Sequence, residues 1–223
     1  MAKHLDLEEQ EQLDQIKHFW ARYGNLITWV LIVVFGSVAA WNGWNYWQRS
    51  QAVKASTLYD EVERASLAND TDRLARTVQD MQSGFGRTAY ASQASLLAAS
   101  TWQEAGKTEE AMAALTWVSQ KGADDAFKAV ARLRLAAMHL DSGALDQASA
   151  VLAGSMPSAF AGLQADRRGD VLMAQGRAEE AKAQYQAAWS ALAERIEYRR
   201  IVEVKLASLG VNVSDLPSGG AAR

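Results

Sequence analysis

The chain has 223 residues, no cysteine, two prolines and a formal net charge of −3. The missing cysteine excludes disulfides, thiolate zinc sites and cysteine nucleophiles. No block of basic residues offsets the slightly negative charge, which excludes nucleic acid as a partner, and the abundance of Ala, Leu, Gln, Glu and Arg reads as helix.

Residues 1–25 form a polar head. Leu5, Leu7, Leu13, Ile16 and Phe19 or Trp20 give it a partial helical stripe. The run Asp14 to Trp20 suits a short amphipathic helix at a membrane surface, and a disordered head is the alternative.

Residues 26–47 are predicted to be a transmembrane helix. Leu26 to Ala40 reads LITWVLIVVFGSVAA, and the uncharged run continues through WNGWNYW. That length of helix rises about 30 Å, the thickness of a bilayer's hydrocarbon core. Trp29, Trp41, Trp44, Tyr46 and Trp47 gather towards the ends, where amphipathic rings prefer the interface. A cleaved secretory signal is the competing reading, with a small-residue site near Val38-Ala39-Ala40. The preceding region argues against it, being long and acidic (Asp6, Glu8, Glu9, Glu11, Asp14) rather than short and basic. Gly36 with Ala40, and Ala39 with Gly43, are small-residue pairs that would admit another membrane helix closely, so these four are the candidate membrane-helix contact. Lys17 and Arg22 before the span nearly balance Arg49 and Lys54 after it, and charge alone leaves the orientation open.

Residues 48–209 are read as a helical-hairpin domain, with residues 48–68 continuing the membrane helix. The segments EAGKTEEA, DSGALDQA and AQGRAEEA place Gly106, Gly143 and Gly176 at intervals of 37 and 33 residues. Ala111, Ala148 and Ala181 follow each glycine by five; Ala99, Ala136 and Gly169 precede it by seven. Trp102, His139 and Leu172 stand four before, and Leu115, Leu152 and Tyr185 nine after. Glycine tolerates the left-handed backbone of a helix reversal, acids then favour the first turn of the next helix, and small residues sit where the two helices cross. A period near 34 with these positions is similar to the tetratricopeptide repeat. The expected fold is all-α: one transmembrane helix, then a tetratricopeptide-like helical-hairpin solenoid. Asn69 would turn an atypical first pair, Arg195 to Leu209 would cap the array, and residues 210–223 would form a disordered tail.

No catalytic constellation, metal-ligand spacing or cofactor motif is present, and none is assigned. His4, His18 and His139 are scattered; Asp124-Asp125, Glu109-Glu110 and Glu179-Glu180 fall at predicted helix starts and read as caps. Asp166 and Asp170, with Arg167 and Arg168, make a denser charged patch that is either a solvated face or a spot for a partner. The first helix of each hairpin would line a groove for an extended segment or a partner's helix. Its candidate residues are Gln93, Leu96, Ser100 and Gln103, then Val130, Leu133, Ala137 and Leu140, then Leu163, Asp166, Asp170 and Met173.

Beyond the repeats, the chain as a whole resembles the YfgM family, ancillary subunits of the bacterial Sec translocon. The acidic head and QIKHFWARYGN (15–25), GWNYWQRSQ (43–51), AVARLRLAAMHLDSGALDQA (129–148) and ADRRGDVLMAQGRAEEA (165–181) carry the resemblance. It implies a single-pass protein of the bacterial inner membrane, N-terminus cytoplasmic and repeats periplasmic. The implied partners are the SecYEG translocon, a PpiD-like membrane-anchored periplasmic chaperone and unfolded secretory clients. A scaffold recruiting another cell-envelope assembly machine is the alternative function.

Overall fold

The computed structural model describes residues 7–192 and 197–216, with the backbone alone for residues 7–12, 15 and 16. The described residues form helices and no strands: α1 (Leu7–Leu67), α2 (Thr71–Phe85), α3 (Ala89–Glu104), α4 (Thr108–Lys121), α5 (Asp125–Asp141), α6 (Leu145–Leu152), α7 (Ala161–Ala174), α8 (Ala178–Ala191) and α9 (Arg199–Ser208). Single 3-10 turns occupy Ser158–Phe160 and Val213–Asp215. Two compact units result, Met1–Gln51 and Ala52–Arg223.

The first unit holds the uncharged stretch. An 18-residue window there has a mean hydropathy of 1.8, yet only 6% of it is buried by protein. A soluble core helix of that composition would be covered; here the side chains from Trp29 to Phe35, and Trp41, stand open. The helix is long and apolar enough to cross a membrane. Its hydroxyls are satisfied internally: Thr28 Oγ1 donates to the Gly24 carbonyl at 2.8 Å, and Ser37 Oγ to that of Val33 at 2.7 Å. Phe19 stacks on Tyr23 at one end and Trp44 on Trp47 at the other. From Leu7 onward the head is helical, so the disordered alternative fails there; Met1 to Asp6 lie outside the described residues.

The second unit is a run of reversals with one shared geometry. Gly106, Gly143 and Gly176 have φ of +73°, +74° and +75°, as their expected role requires. In each case the next residue's N–H reaches back to the carbonyl four before the glycine: Lys107 to Trp102, Ala144 to His139, Arg177 to Leu172. Two further reversals repeat the pattern. Asn69, at φ +51°, is followed by Asp70 N–H bonded to the Ala65 carbonyl; Gly210, at φ +73°, by Val211 N–H bonded to that of Leu206.

Apolar side chains between these helices form three clusters. The first joins Ala55, Val62 and Ala65 of α1 to Leu74, Val78 and Met81 of α2, then runs through α3 and α4 into α5. The second holds Ala136, Ala148, Leu152 and Val171, and the third Ala165, Ala181, Tyr185, Ala188, Leu192, Val202 and Leu206. The small residues expected at the crossings are all buried. At Gly169 a Cβ would lie 2.4 Å from the Tyr185 ring, which explains glycine where the other repeats carry alanine. Tyr185 occupies the place of Leu115 and Leu152, and its larger ring needs the space.

Caps follow the acids and hydroxyls. The Asp124 side chain accepts from Phe127 N–H at 2.9 Å, and Thr88 from Ala91 N–H at 3.3 Å. Glu109 and Glu110, Asp146, and Glu179 and Glu180 occupy first turns. The expected tail is shorter than predicted. Val211, Val213 and Leu216 pack against the third cluster, because apolar side chains among the polar residues after Gly210 find uncovered apolar surface on α8 and α9. Residues 217–223, the rest of the expected tail, lie outside the described residues, as do Arg195 and Ile196 of the expected capping helix.

Candidate functional site

α3 borders α5, and α5 borders α7, so the first helices of successive hairpins are neighbours. On α3, Gln93 and Gln103 are exposed while Leu96 and Ser100 are half-buried. On α5, Val130, Leu133, Ala137 and Leu140 are all half-buried. On α7, Leu163 is half-buried and Met173 is 39% exposed. The four leucines among them are rooted in core clusters: Leu96 in the first, Leu133 and Leu140 in the second, Leu163 in the third. On α3 and α5 these positions are uncharged and partly apolar. Between the two helices, Arg134 Nη1 donates to the Leu96 carbonyl at 3.3 Å, tying α5 to α3.

The aspartates on α7 correct the sequence reading. Asp166 is 0% exposed and lines no surface, so it leaves the groove set. Its Oδ1 and Oδ2 each lie 2.8 Å from Lys205 Nζ, and Oδ2 accepts from Tyr198 Oη at 2.6 Å. Asp170 Oδ1 lies 2.6 Å from the same ammonium and accepts from Tyr185 Oη at 2.9 Å; its Oδ2 accepts from Arg167 Nη1 at 3.2 Å. One ammonium thus bridges two carboxylates that would otherwise repel across one helical turn. With Arg167 the four charges cancel, which burial requires. Burial, reinforced by Asp170, pushes the Tyr185 phenol well above its ordinary range; burial and the bond to Asp166 do the same for Tyr198. Both phenols therefore stay neutral donors.

Arg168 belongs to a different structure. With Gln164 it caps the C-terminal carbonyls of α6: Gln164 Nε2 donates to Leu152 O at 2.8 Å, and Arg168 Nη2 to the same oxygen at 2.5 Å. Asp166, Asp170 and Arg167 are thus not a solvated face but a polar core that fixes α9 to α7 and α8, with the Arg199 guanidinium also seated 3.8 Å over the Trp189 ring.

Lys205 and Tyr198 escaped sequence reasoning because they lie more than thirty residues from their partners. One signal was available: Asp166 stands ten before its glycine, where the other repeats carry Leu96 and Leu133. An acid at a leucine position implies a buried countercharge. His139 is half-buried, and burial lowers its pKa. Among the described residues, no cluster of His, Cys, Asp or Glu could hold a metal ion.

On the membrane helix, a Cβ added at Gly36 or Gly43 would meet nothing within 4 Å, and Ala39 and Ala40 are exposed. Among the described residues, none covers this small-residue face. A separate cleft of about 600 Å³ lies beside the N-terminal half of α5, walled by Lys128, Ala129 and Arg132 and by the segment from Gly154 to Pro157.

Comparison with known proteins bears on both units. The family described as tetratricopeptide repeat-like domain matches residues 17–211. A protein of Neisseria gonorrhoeae is 29% identical over 213 residues, covering 94% of this chain and 100% of the relative. Another, of Aggregatibacter actinomycetemcomitans, is 32% identical over 184 residues, or 82% of this chain and 89% of the relative. One from Escherichia coli is 26% identical over 179 residues, covering 80% and 86%. All three are named ancillary SecYEG translocon subunit. A single apolar helix followed by reversals of one geometry, matched by relatives along nearly its whole length, places this membrane-anchored chain in the YfgM family, with a tetratricopeptide repeat-like domain.

Proposed function

We propose that this chain is a non-catalytic, Sec-associated interaction protein: an ancillary translocon subunit whose repeat unit holds secretory clients as they emerge. Its head would lie in the cytoplasm and its repeats in the periplasm. SecYEG and a PpiD-like chaperone would be its partners in the inner membrane. The observation that carries this reading is the near full-length match to relatives named ancillary SecYEG translocon subunit. Two features of the chain agree with it. The helix containing Leu26 to Trp47 is long and apolar enough to cross a membrane. The positions on α3 and α5 have the uncharged, partly apolar chemistry that suits an extended polypeptide, whose own backbone supplies polarity. The small-residue face at Gly36, Ala39, Ala40 and Gly43 would receive a partner's membrane helix.

Photo-cross-linking from Leu133 and Leu140 in intact membranes tests the reading. Adducts with translocon subunits and with nascent secreted chains are expected. Adducts with neither, from probes that label other proteins, would overturn it.

A further inference from the structure

The short helix α6 ends in a segment whose hydrogen bonding is one-sided. Its carbonyls are taken: Leu152 by Gln164 and Arg168, Ala153 by Arg168, Gly154 by Gln164 at 2.6 Å, Ser155 by Arg132 Nη1 at 3.3 Å. The N–H groups of Gly154, Ser155 and Met156 donate to no acceptor among the described residues. Along this wall of the 600 Å³ cleft the carbonyls of Gly154 and Ser155 are engaged while three successive N–H groups are not.

The opposite wall adds charge. Lys128 Nζ lies 3.1 Å from Asp125 Oδ1, so those two neutralise one another. Arg132 is half-buried and meets no carboxylate among the described residues; the bond to Ser155 uses one of its five donors. The lining therefore carries one uncompensated positive charge. Met156, Pro157 and Ala129 supply apolar surface beside it. On α5 these residues are centred about a third of a turn from Val130, Leu133 and Ala137, so the cleft is distinct from the strip on α3 and α5.

We propose that this cleft binds a carboxylate of an extended peptide, with Arg132 as its charge anchor, the free N–H groups as further donors and Met156 and Pro157 receiving the adjoining side chain. A planar guanidinium matches a carboxylate's two oxygens, and a single net charge suits a monoanion. The inference rests on the reading of the repeat unit as a polypeptide-binding module, and it adds a chemical preference to that reading.

The test uses the full chain in phosphatidylcholine nanodiscs and dye-labelled peptides of one uncharged Leu/Val-containing sequence. One peptide ends in a free carboxylate, one is amidated, and one is amidated with an internal Gln→Glu change. Fluorescence anisotropy is expected to show the free-carboxylate peptide binding about tenfold tighter than the amidated one. Arg132→Gln should abolish that advantage, Arg132→Lys should keep part of it, and Arg76→Gln on α2 should leave it intact. A tenfold gain confined to the glutamate peptide would support the cleft with a side-chain carboxylate as its source. Equal binding of all three peptides would overturn the proposal while leaving the polypeptide-binding reading in place. Binding of the carboxylate peptides with none of the amidated one would support the cleft and count against the uncharged strip. No binding by any peptide would overturn both. Melting curves of the Arg132 variants, followed by circular dichroism, separate lost binding from lost fold.

Discussion

At the level of single residues, the repeat unit is held by two unusual arrangements on α7. Gly169 exists for Tyr185. Substituting Gly169→Ala puts a methyl group 2.4 Å from the Tyr185 ring, where both helix backbones are already fixed. Overpacking should cost about 1–3 kcal/mol, less the helix propensity gained by alanine. The double variant Gly169→Ala/Tyr185→Leu recreates the pairing of Ala99 with Leu115, and denaturant unfolding should show it less destabilised than the sum of the single changes. Lys205 is the second arrangement. Replacing it with methionine strands Asp166 and Asp170 without their shared cation, and Asp166 has no access to water. A loss of about 3–5 kcal/mol is expected, as for other broken buried pairs. Unfolding titrations of Lys205→Met and of Lys205→Met/Asp166→Asn/Asp170→Asn check the assignment, since neutralising both acids should recover part of the loss. The repeat spacing marked Gly169 and Tyr185 as crossing positions, whereas the cation of the second arrangement was not legible: only the acid at a leucine position hinted at it. The i,i+4 spacing of the aspartates puts them on one face of a helix, but which face is buried depends on α9, which is distant in sequence.

Among the elements, the helix reversals were the most legible feature. A left-handed residue followed by a back-reaching N–H is local chemistry, so Gly106, Gly143 and Gly176 declared themselves by spacing alone. Gly210 has the same geometry without the flanking alanines, and for that reason was absorbed into the expected tail. Asn69 shows that a side chain is tolerated when it is short and polar. At Gly143 a Cβ would meet nothing within 4 Å, so Gly143→Val isolates the backbone term. It should destabilise by roughly 1–2 kcal/mol, whereas Asn69→Gly should change stability by less than about 0.5 kcal/mol. Paired thermal melts measure both. The end of α6 was the least legible: its carbonyls are capped by Gln164 and Arg168 from the following hairpin, and nothing in residues 145–157 announces those partners.

For the whole molecule, the membrane helix and the repeat unit make separate demands. A Cβ at Gly36 or Gly43 would meet nothing within 4 Å among the described residues, so Gly36→Leu/Gly43→Leu should leave the melting of the repeat unit unchanged. Under the proposed function, the same double change should reduce co-purification of translocon subunits in mild detergent several-fold, read by quantitative immunoblot. Retained co-purification would move the point of contact to the repeats.

The sequence by itself determined the class of the protein: one apolar helix, then helical hairpins with a period near 34. Hydropathy and turn chemistry act over a few residues, and a period repeats the same local instruction, so both can be read along the chain. Only the tertiary structure decided the fate of charge. It showed that Asp166 is sealed beneath α9 and that Arg168 caps a neighbouring helix. It also left Arg132 with no carboxylate among the described residues, beside N–H groups that find no acceptor there. The reason is that a charge is satisfied by whatever folding brings near it, and the partners of these three come from elements with no fixed spacing in sequence.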